Sequence, residues 1–212
     1  TMVNNLNHAL DMGGAPMGSQ TALLLGVGAN PGALNMDEEI HRFELKVKAA
    51  FLLNFAKFTT WPADKAGAAD APIYLCVHGG GPLGRVLQDT VRDRTIGSHA
   101  IDVLQSDNVE ELRRCHVVYV GVSGDARIAA SLGALANHGV LTVHEAASAQ
   151  PAGVVRFFLS DGGRVRFEVN VTAASREELS LSSKLLGVSQ GLSRWARSRP
   201  VSSRIRSLPA SA

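Results

Sequence analysis

The sequence predicts an α/β protein: a three-layer α/β/α sandwich, Rossmann-like, with a mostly parallel central sheet and a C-terminal antiparallel hairpin of strands. Three observations predict it. Short apolar runs, PIYLCVHG, HAIDVLQ, CHVVYVG and VLTV, alternate with helical segments, the pattern of successive parallel strand-helix-strand units with right-handed crossings. The runs PIYLCVHG and CHVVYVG are apolar on both faces, as strands are when helices cover the sheet on each side. Beyond residue 150 the period changes: GVVRFFLSDGGRVRFEVNV holds two strands joined at Asp161-Gly162, a strong short hairpin signal.

The first element is a long helix from Asp37 to about Pro62. Ile40, Phe43, Val47, Phe51, Phe55 and Phe58 follow at steps of three or four, which sets one apolar face. Leu45, Ala49, Leu52 and Ala56 form a second strip, leaving Lys46, Lys48 and Lys57 as its wet positions. Asp37, Glu38 and Glu39 suit a first turn, where the helix dipole favours negative charge. Pro62 ends the run by biasing Trp61 away from the α region. The loop ADKAGAADA follows, then the first strand, a short helix over PLGRVLQDTV and the second strand, HAIDVLQ. NVEELRR supplies a turn or two of helix before CHVVYVG, and DARIAASLGALANHG forms an amphipathic helix closing on Gly139. In the second hairpin strand Val165, Phe167, Val169 and Val171 alternate with Arg164, Arg166, Glu168 and Asn170, so one face is core and the other polar. TAASREELSLSSKLLGV reads as the last helix.

At 212 residues and 45% apolar content the chain buries a core of its own, and it divides into a flexible lead-in (1–36), one α/β domain (37–188) and an Arg/Ser-rich tail (189–212). The net charge is +2, yet five arginines fall after residue 190 with no acid among them; the remainder carries −3. A mildly acidic body with a basic tail is not the footprint of a nucleic-acid binder. No stretch is apolar enough to span a membrane. The greasy run TALLLGVGA lacks a preceding Lys or Arg, hence the n-region of a signal peptide, so export implies a signal already removed.

Gly79, Gly81 and Gly84 satisfy G-x-G-x-x-G between a strand and a helix, where a dinucleotide fingerprint belongs. Against that reading, Pro82 removes an N–H from the phosphate cradle, and the candidate ribose acid, Asp102, lies inside a strand. The structural alternative is a tight turn. HGGG imitates an oxyanion loop, but GVSGD falls one residue short of a nucleophile elbow. The seven histidines never share a metal-binding helix face, and His144-Glu145 reads as a solvated pair; no metal or cofactor is expected. Cys76 lies inside the first strand and Cys115 opens the third. They are either two buried thiols or a disulfide closing a loop of about 40 residues, contributing roughly 4 kcal/mol at most. Arg166 is a candidate fork onto a carboxylate or phosphate.

Taken in order, KAAFLLNFAKFTTWP, IYLCVHGGGPLG, CHVVYV, VLTV, GGRVRFEVNV and LSLSSKLLGV resemble the YfiR/HmsC-like periplasmic regulators, from about Leu45 to Val188. The resemblance implies a small, often dimeric, non-enzymatic periplasmic protein that represses an inner-membrane diguanylate cyclase through its periplasmic domain, lowering cyclic di-GMP and biofilm formation. It also implies an outer-membrane lipoprotein as a sequestering partner. Cys76 and Cys115 match cysteine positions of the family, and an oxidising compartment favours their pairing. Arg166 and Glu168 fall where some relatives place ligand-pocket residues, though the acidic Glu168 counts against an anion there. Lys57 and Trp61, at the exposed end of the long helix, are the other candidate ligand or partner contacts; for Trp61 the competing and favoured reading is a cap on the core. The rival expectation is a nucleotide-dependent enzyme using the glycine loop.

Overall fold

The computed structural model describes residues 31–68, 70–146, 153–190 and 192–193. The chain divides into two units, Thr1–Phe43 and Glu44–Ala212. The described part of the first is the opening half of helix α1 (Pro31–Lys57). The helix begins six residues before Asp37, at a proline whose missing N–H costs nothing in a first turn, so the three acidic residues lie beyond that turn. In this half Ile40 and Phe43 are 59% and 69% exposed, although their spacing places them on the predicted apolar face.

In the second unit the strip running from Leu45 through Ala49 and Leu52 to Phe55 and Ala56 goes deepest, while Phe51 and Phe58 are half-buried. After α1 come β1 (Thr59–Thr60), α2 (Ala63–Ala66), β2 (Ile73–His78), α3 (Leu83–Val91), β3 (Thr95–Ile96), β4 (His99–Ser106), α4 (Val109–Leu112), β5 (Val117–Val120), α5 (Asp125–Leu135) and β6 (Leu141–His144). The hairpin β7 (Val155–Ser160) and β8 (Arg164–Asn170) follows, then α6 (Val171–Arg176), β9 (Ser180–Leu181), α7 (Ser183–Val188) and β10 (Leu192–Ser193).

Among the described residues the main sheet has the order β10-β8-β7-β6-β5-β2-β4-β3. The pairs β2/β4, β2/β5, β5/β6 and β6/β7 are parallel, as the strand-helix alternation predicts, and β7/β8 is the antiparallel hairpin turning through Asp161, Gly162 and Gly163. Because side chains alternate between faces, β2 and β5 feed two cores. Leu75, Val77 and Val117 pack in the layer that includes α1 and α3. Cys76, Val118 and Val120 pack with Leu112 of α4 and Ile128, Leu132 and Leu135 of α5. Helices on both sides of a mostly parallel sheet make this the predicted α/β sandwich.

Cys76 and Cys115 form a disulfide with a Cα–Cα separation of 6.1 Å. It joins the middle of β2 to the residue that leads into its neighbour β5, and both cysteines are buried.

The single C-terminal helix expected over 172–188 is instead broken. Glu178 takes φ 55°, and Ser180–Leu181 runs extended, pairing antiparallel with Thr59–Thr60 as a separate two-stranded sheet. Ser182 restarts the helix by accepting the N–H of Lys184. The break has a local cause: serines at 180, 182 and 183 compete for backbone hydrogen bonds in a helix interior but serve well as caps. The β10 strand, parallel to β8, lies in the segment read as tail; residues 194–212, the rest of that tail, and 1–30 of the lead-in lie outside the described residues.

Glu177, at the end of α6, is 5% exposed. Its carboxylate accepts the backbone N–H groups of Asn137, His138 and Gly139 at 2.9, 3.1 and 3.2 Å, holding the turn between α5 and β6. Glu177→Ala strands three donors, and we expect a loss of about 3 kcal/mol in urea denaturation; Glu177→Gln, which keeps one acceptor oxygen, should lose about half of that.

Candidate functional site

Helix α1 ends at Lys57, five residues before the proline expected to stop it, because Thr59–Thr60 is already extended and paired with Ser180–Leu181. There the chain walls a cavity of about 230 Å³ together with the turn between β3 and β4. Ala56, Ala66, Ile73 and Ile96 supply apolar wall; Lys57, Thr59, Thr60, Trp61, His99 and His116 supply the polar groups, with no Asp or Glu among the lining residues.

Three of these polar residues, Trp61, His99 and His116, are engaged in hydrogen bonds. The Trp61 indole N–H donates to the His116 carbonyl at 3.2 Å, and its ring meets the His116 ring edge-on at 5.2 Å. His116 Nδ1 accepts the Tyr74 N–H at 3.1 Å, so its neutral ring carries its proton on Nε2. Burial, and then the charge of Lys65, lowers this imidazole to about 4. His99 Nδ1 donates to the Ala71 carbonyl at 2.8 Å. Lys65 itself is pulled down to about 8 by burial and donates to the carbonyls of Arg113 and His138. Thr59 differs: its Oγ1 is buried and has no hydrogen-bond partner among the described residues.

Of the four contacts read from sequence, Lys57 and Trp61 line this cavity and Arg166 and Glu168 do not. Those two lie on β8, where Glu168 Oε1 accepts from Arg156 Nε at 2.8 Å and Arg166 sits opposite Phe158. Trp61 is half-buried against the α1-side core, which favours its reading as a core cap. Thr59 and His99 carry no motif. Only the pairing of β1 with β9, invisible to local pattern, turns Thr59 inward.

The glycine loop has a packing explanation. Gly79 and Gly81 take φ 100° and 125°, where a side chain is strained. A Cβ on Gly84 would lie 2.4 Å from Gln105 Oε1, and Gln105 Nε2 donates to the Gly79 carbonyl at 3.0 Å. Gln105 thus fills the space over the start of α3 where a pyrophosphate would need to approach. Asp102 is exposed in mid-strand, level with Tyr74 of β2, as the pattern suggested. His78 is likewise committed: Nδ1 donates to the Ser106 carbonyl at 3.2 Å and Nε2 accepts from Ser131 Oγ at 2.9 Å. Among the described residues no group of three His, Cys, Asp or Glu is placed to hold a metal.

The expected solvated pair His144-Glu145 is instead built into the fold. His144 is 4% exposed, accepts the Ala146 N–H at Nδ1, and burial, then the charge of Arg156, lowers it to about 4. Glu145 accepts from Tyr119 Oη at 2.5 Å and pairs at 2.7 Å with Lys48, which also pairs with Glu44 at 2.5 Å. Lys48, read from sequence as a solvent position, is therefore buried. Burial alone would lower its ammonium, yet Glu145 and Glu44 outweigh that and hold it above its ordinary value; burial raises the Tyr119 phenol. The network ties α1 to the ends of β5 and β6.

Both depressed histidines are neutral in the fold, so between about 4 and the ordinary 6.5 the unfolded chain binds more protons. Stability is full above that window and falls as pH drops through it, by up to about 1.4 kcal/mol per pH unit per ring. Urea midpoints across the window should show this slope, and His116→Asn with His144→Asn, whose Oδ1 replaces the Nδ1 acceptor, should flatten it.

A family model described as YfiR/HmsC-like matches residues 45–190. No curated protein matches the chain. Among solved structures, an ABC domain in complex with L-Trp from Streptococcus pneumoniae is similar at 5% identity and TM-score 0.41, covering 57% of this chain and 55% of that one. A conserved domain protein from Vibrio cholerae O1 biovar El Tor is similar at 10% identity and TM-score 0.42, covering 58% and 55%. The chain thus spans about 55% of each of these two structures.

Proposed function

Because the chain belongs to the YfiR/HmsC-like family, we propose that it is a non-catalytic regulatory protein of the periplasm, which binds the periplasmic domain of a membrane diguanylate cyclase and represses it. Cyclic di-GMP and biofilm formation fall in consequence. The family match over residues 45–190 carries this reading. The Cys76–Cys115 disulfide supports the compartment, since such bonds persist where the surroundings are oxidising. The commitment of His78, His116 and Gln105 to internal hydrogen bonds supports a role in binding rather than chemistry. Among the described residues no helix is long and apolar enough to cross a membrane. Family membership further motivates a homodimer and an outer-membrane lipoprotein that sequesters the repressor.

The experiment is a pull-down against the periplasmic domains of the host's membrane diguanylate cyclases, coupled to a cyclase assay. One cyclase should be retained, and its output should fall when the protein is added. No retention, together with unchanged cyclic di-GMP in a deletion strain, would overturn the reading.

A further inference from the structure

The opening half of α1 leaves an apolar face uncovered. Met36, Ile40 and Phe43 are 63%, 59% and 69% exposed, and they are three of the five large hydrophobic side chains that stand exposed among the described residues. The steps of four and three between them stack the three on one side of the helix over about 10 Å. Single hydrophobics scattered over a surface need no explanation, but a contiguous apolar strip with a polar rim marks an interaction site. With about 3.6 residues to the turn, Asp37 and Glu39 fall on the two flanks of this strip. Glu38, His41 and Arg42 fall away from it, and all five of these polar residues are exposed.

The rim decides what covers the strip. A carboxylate on each flank attracts a partner that carries cations beside its own apolar strip, and repels an acidic one. A second copy of the face brings the same Asp37 and Glu39, so like charge meets like. The lead-in, residues 1–30, offers Leu23, Leu24 and Leu25 but no Lys or Arg, so it does not answer the acids. Helix laid along helix is the geometry that reads anchors at i, i+4 and i+7. We propose that this face of α1 docks a basic amphipathic helix of the protein that this chain regulates. The proposal rests on the regulatory reading for the existence of that partner and adds the surface and the chemistry recognised. Met36, Ile40 and Phe43 bury against the partner's apolar side, and Asp37 and Glu39 pair with Lys or Arg on its flanks.

The probe is a labelled helical peptide of leucine and lysine in amphipathic order, about 14 residues or four turns long, and its control carries glutamate in place of lysine. Read by fluorescence anisotropy on the full chain, the lysine peptide should bind saturably and more weakly as salt rises, and the glutamate peptide should not bind. Ile40→Ala with Phe43→Ala should weaken the lysine peptide at least about tenfold. The melting temperature should hold, since both side chains are exposed and alanine keeps the helix. Asp37→Lys with Glu39→Lys should reverse the preference, weakening the lysine peptide about tenfold and admitting the glutamate one. No binding of the lysine peptide, equal binding of the two peptides, or undiminished affinity in Ile40→Ala/Phe43→Ala would overturn the assignment. So would a dimer of the protein alone that the same double variant dissociates, or binding seen only after residues 194–212 are removed. Those results put a second copy, or the chain's own arginines, on the face. A cyclase domain retained equally by the wild type and the double variant would overturn the docking and leave the regulatory reading standing. Peptide results as expected, with no cyclase retained, would overturn the regulatory reading and leave the chemistry of the face standing.

Discussion

Replacing Cys76 and Cys115 together by alanine is expected to lower the unfolding free energy by about 4 kcal/mol. The bond closes a loop of 39 residues between the strand and the entry to its neighbour, and without it the unfolded chain regains the freedom that the loop removes. For a domain of this size the loss corresponds to a fall of about 10 °C in melting temperature. Against total stabilities of roughly 5–15 kcal/mol, this is a large share. Thermal denaturation with and without a reductant that reaches the unfolded chain provides the measurement: the wild type should fall to the level of the double variant, and the double variant should not respond. A wild type unaffected by full reduction would show that the two strands hold without the bond.

Phe55→Ala should be the most damaging single truncation in the core, at about 4 kcal/mol. Phe55 is fully buried and its ring lies 5.7 Å from that of Phe157, 5.0 Å from that of Phe167 and 6.0 Å from that of Phe51. The Phe167 contact is edge-on at 71°, a geometry in which ring quadrupoles attract, so a double-mutant cycle between Phe55 and Phe167 should return about 1 kcal/mol beyond the lost area. Phe43→Ala, on the same helix at the same period but 69% exposed, should stay within about 0.5 kcal/mol. Equal losses at both positions in urea denaturation would contradict the burial described here.

That contrast shows what periodicity can and cannot tell. The spacing of Ile40, Phe43, Val47, Phe51 and Phe55 identifies a helix and an apolar face, but a helix's own repeat does not say how much of its length meets the sheet. The central strands were legible because each is a continuous apolar run bounded by glycine or proline, and their parallel order followed from the helices between them. The broken C-terminal helix was not. Its apolar leucines suit either one helix or two short ones, and the extended residues Ser180–Leu181 are held by Thr59–Thr60, more than a hundred residues away in sequence. The candidate site shared this blindness. Trp61 and Lys57 stood out as a tryptophan and a lysine beside a proline stop, whereas Thr59 became conspicuous only when its neighbours' hydrogen bonds were assigned. Lys48 and Glu145 looked like solvent residues because their pairing crosses from helix to sheet, a distance no local pattern encodes.

The small sheet formed by β1 and β9 also has a bearing on motion. It is two residues wide on each side, against six matched residues between β2 and β4, so its hydrogen bonds can open at a fraction of the free energy needed to unfold the main sheet. Thr59 and Thr60 belong to that pair and also line the cavity. Amide hydrogens there should exchange well ahead of those of β2 and β5, so the cavity wall can loosen while the sheet behind it stays closed.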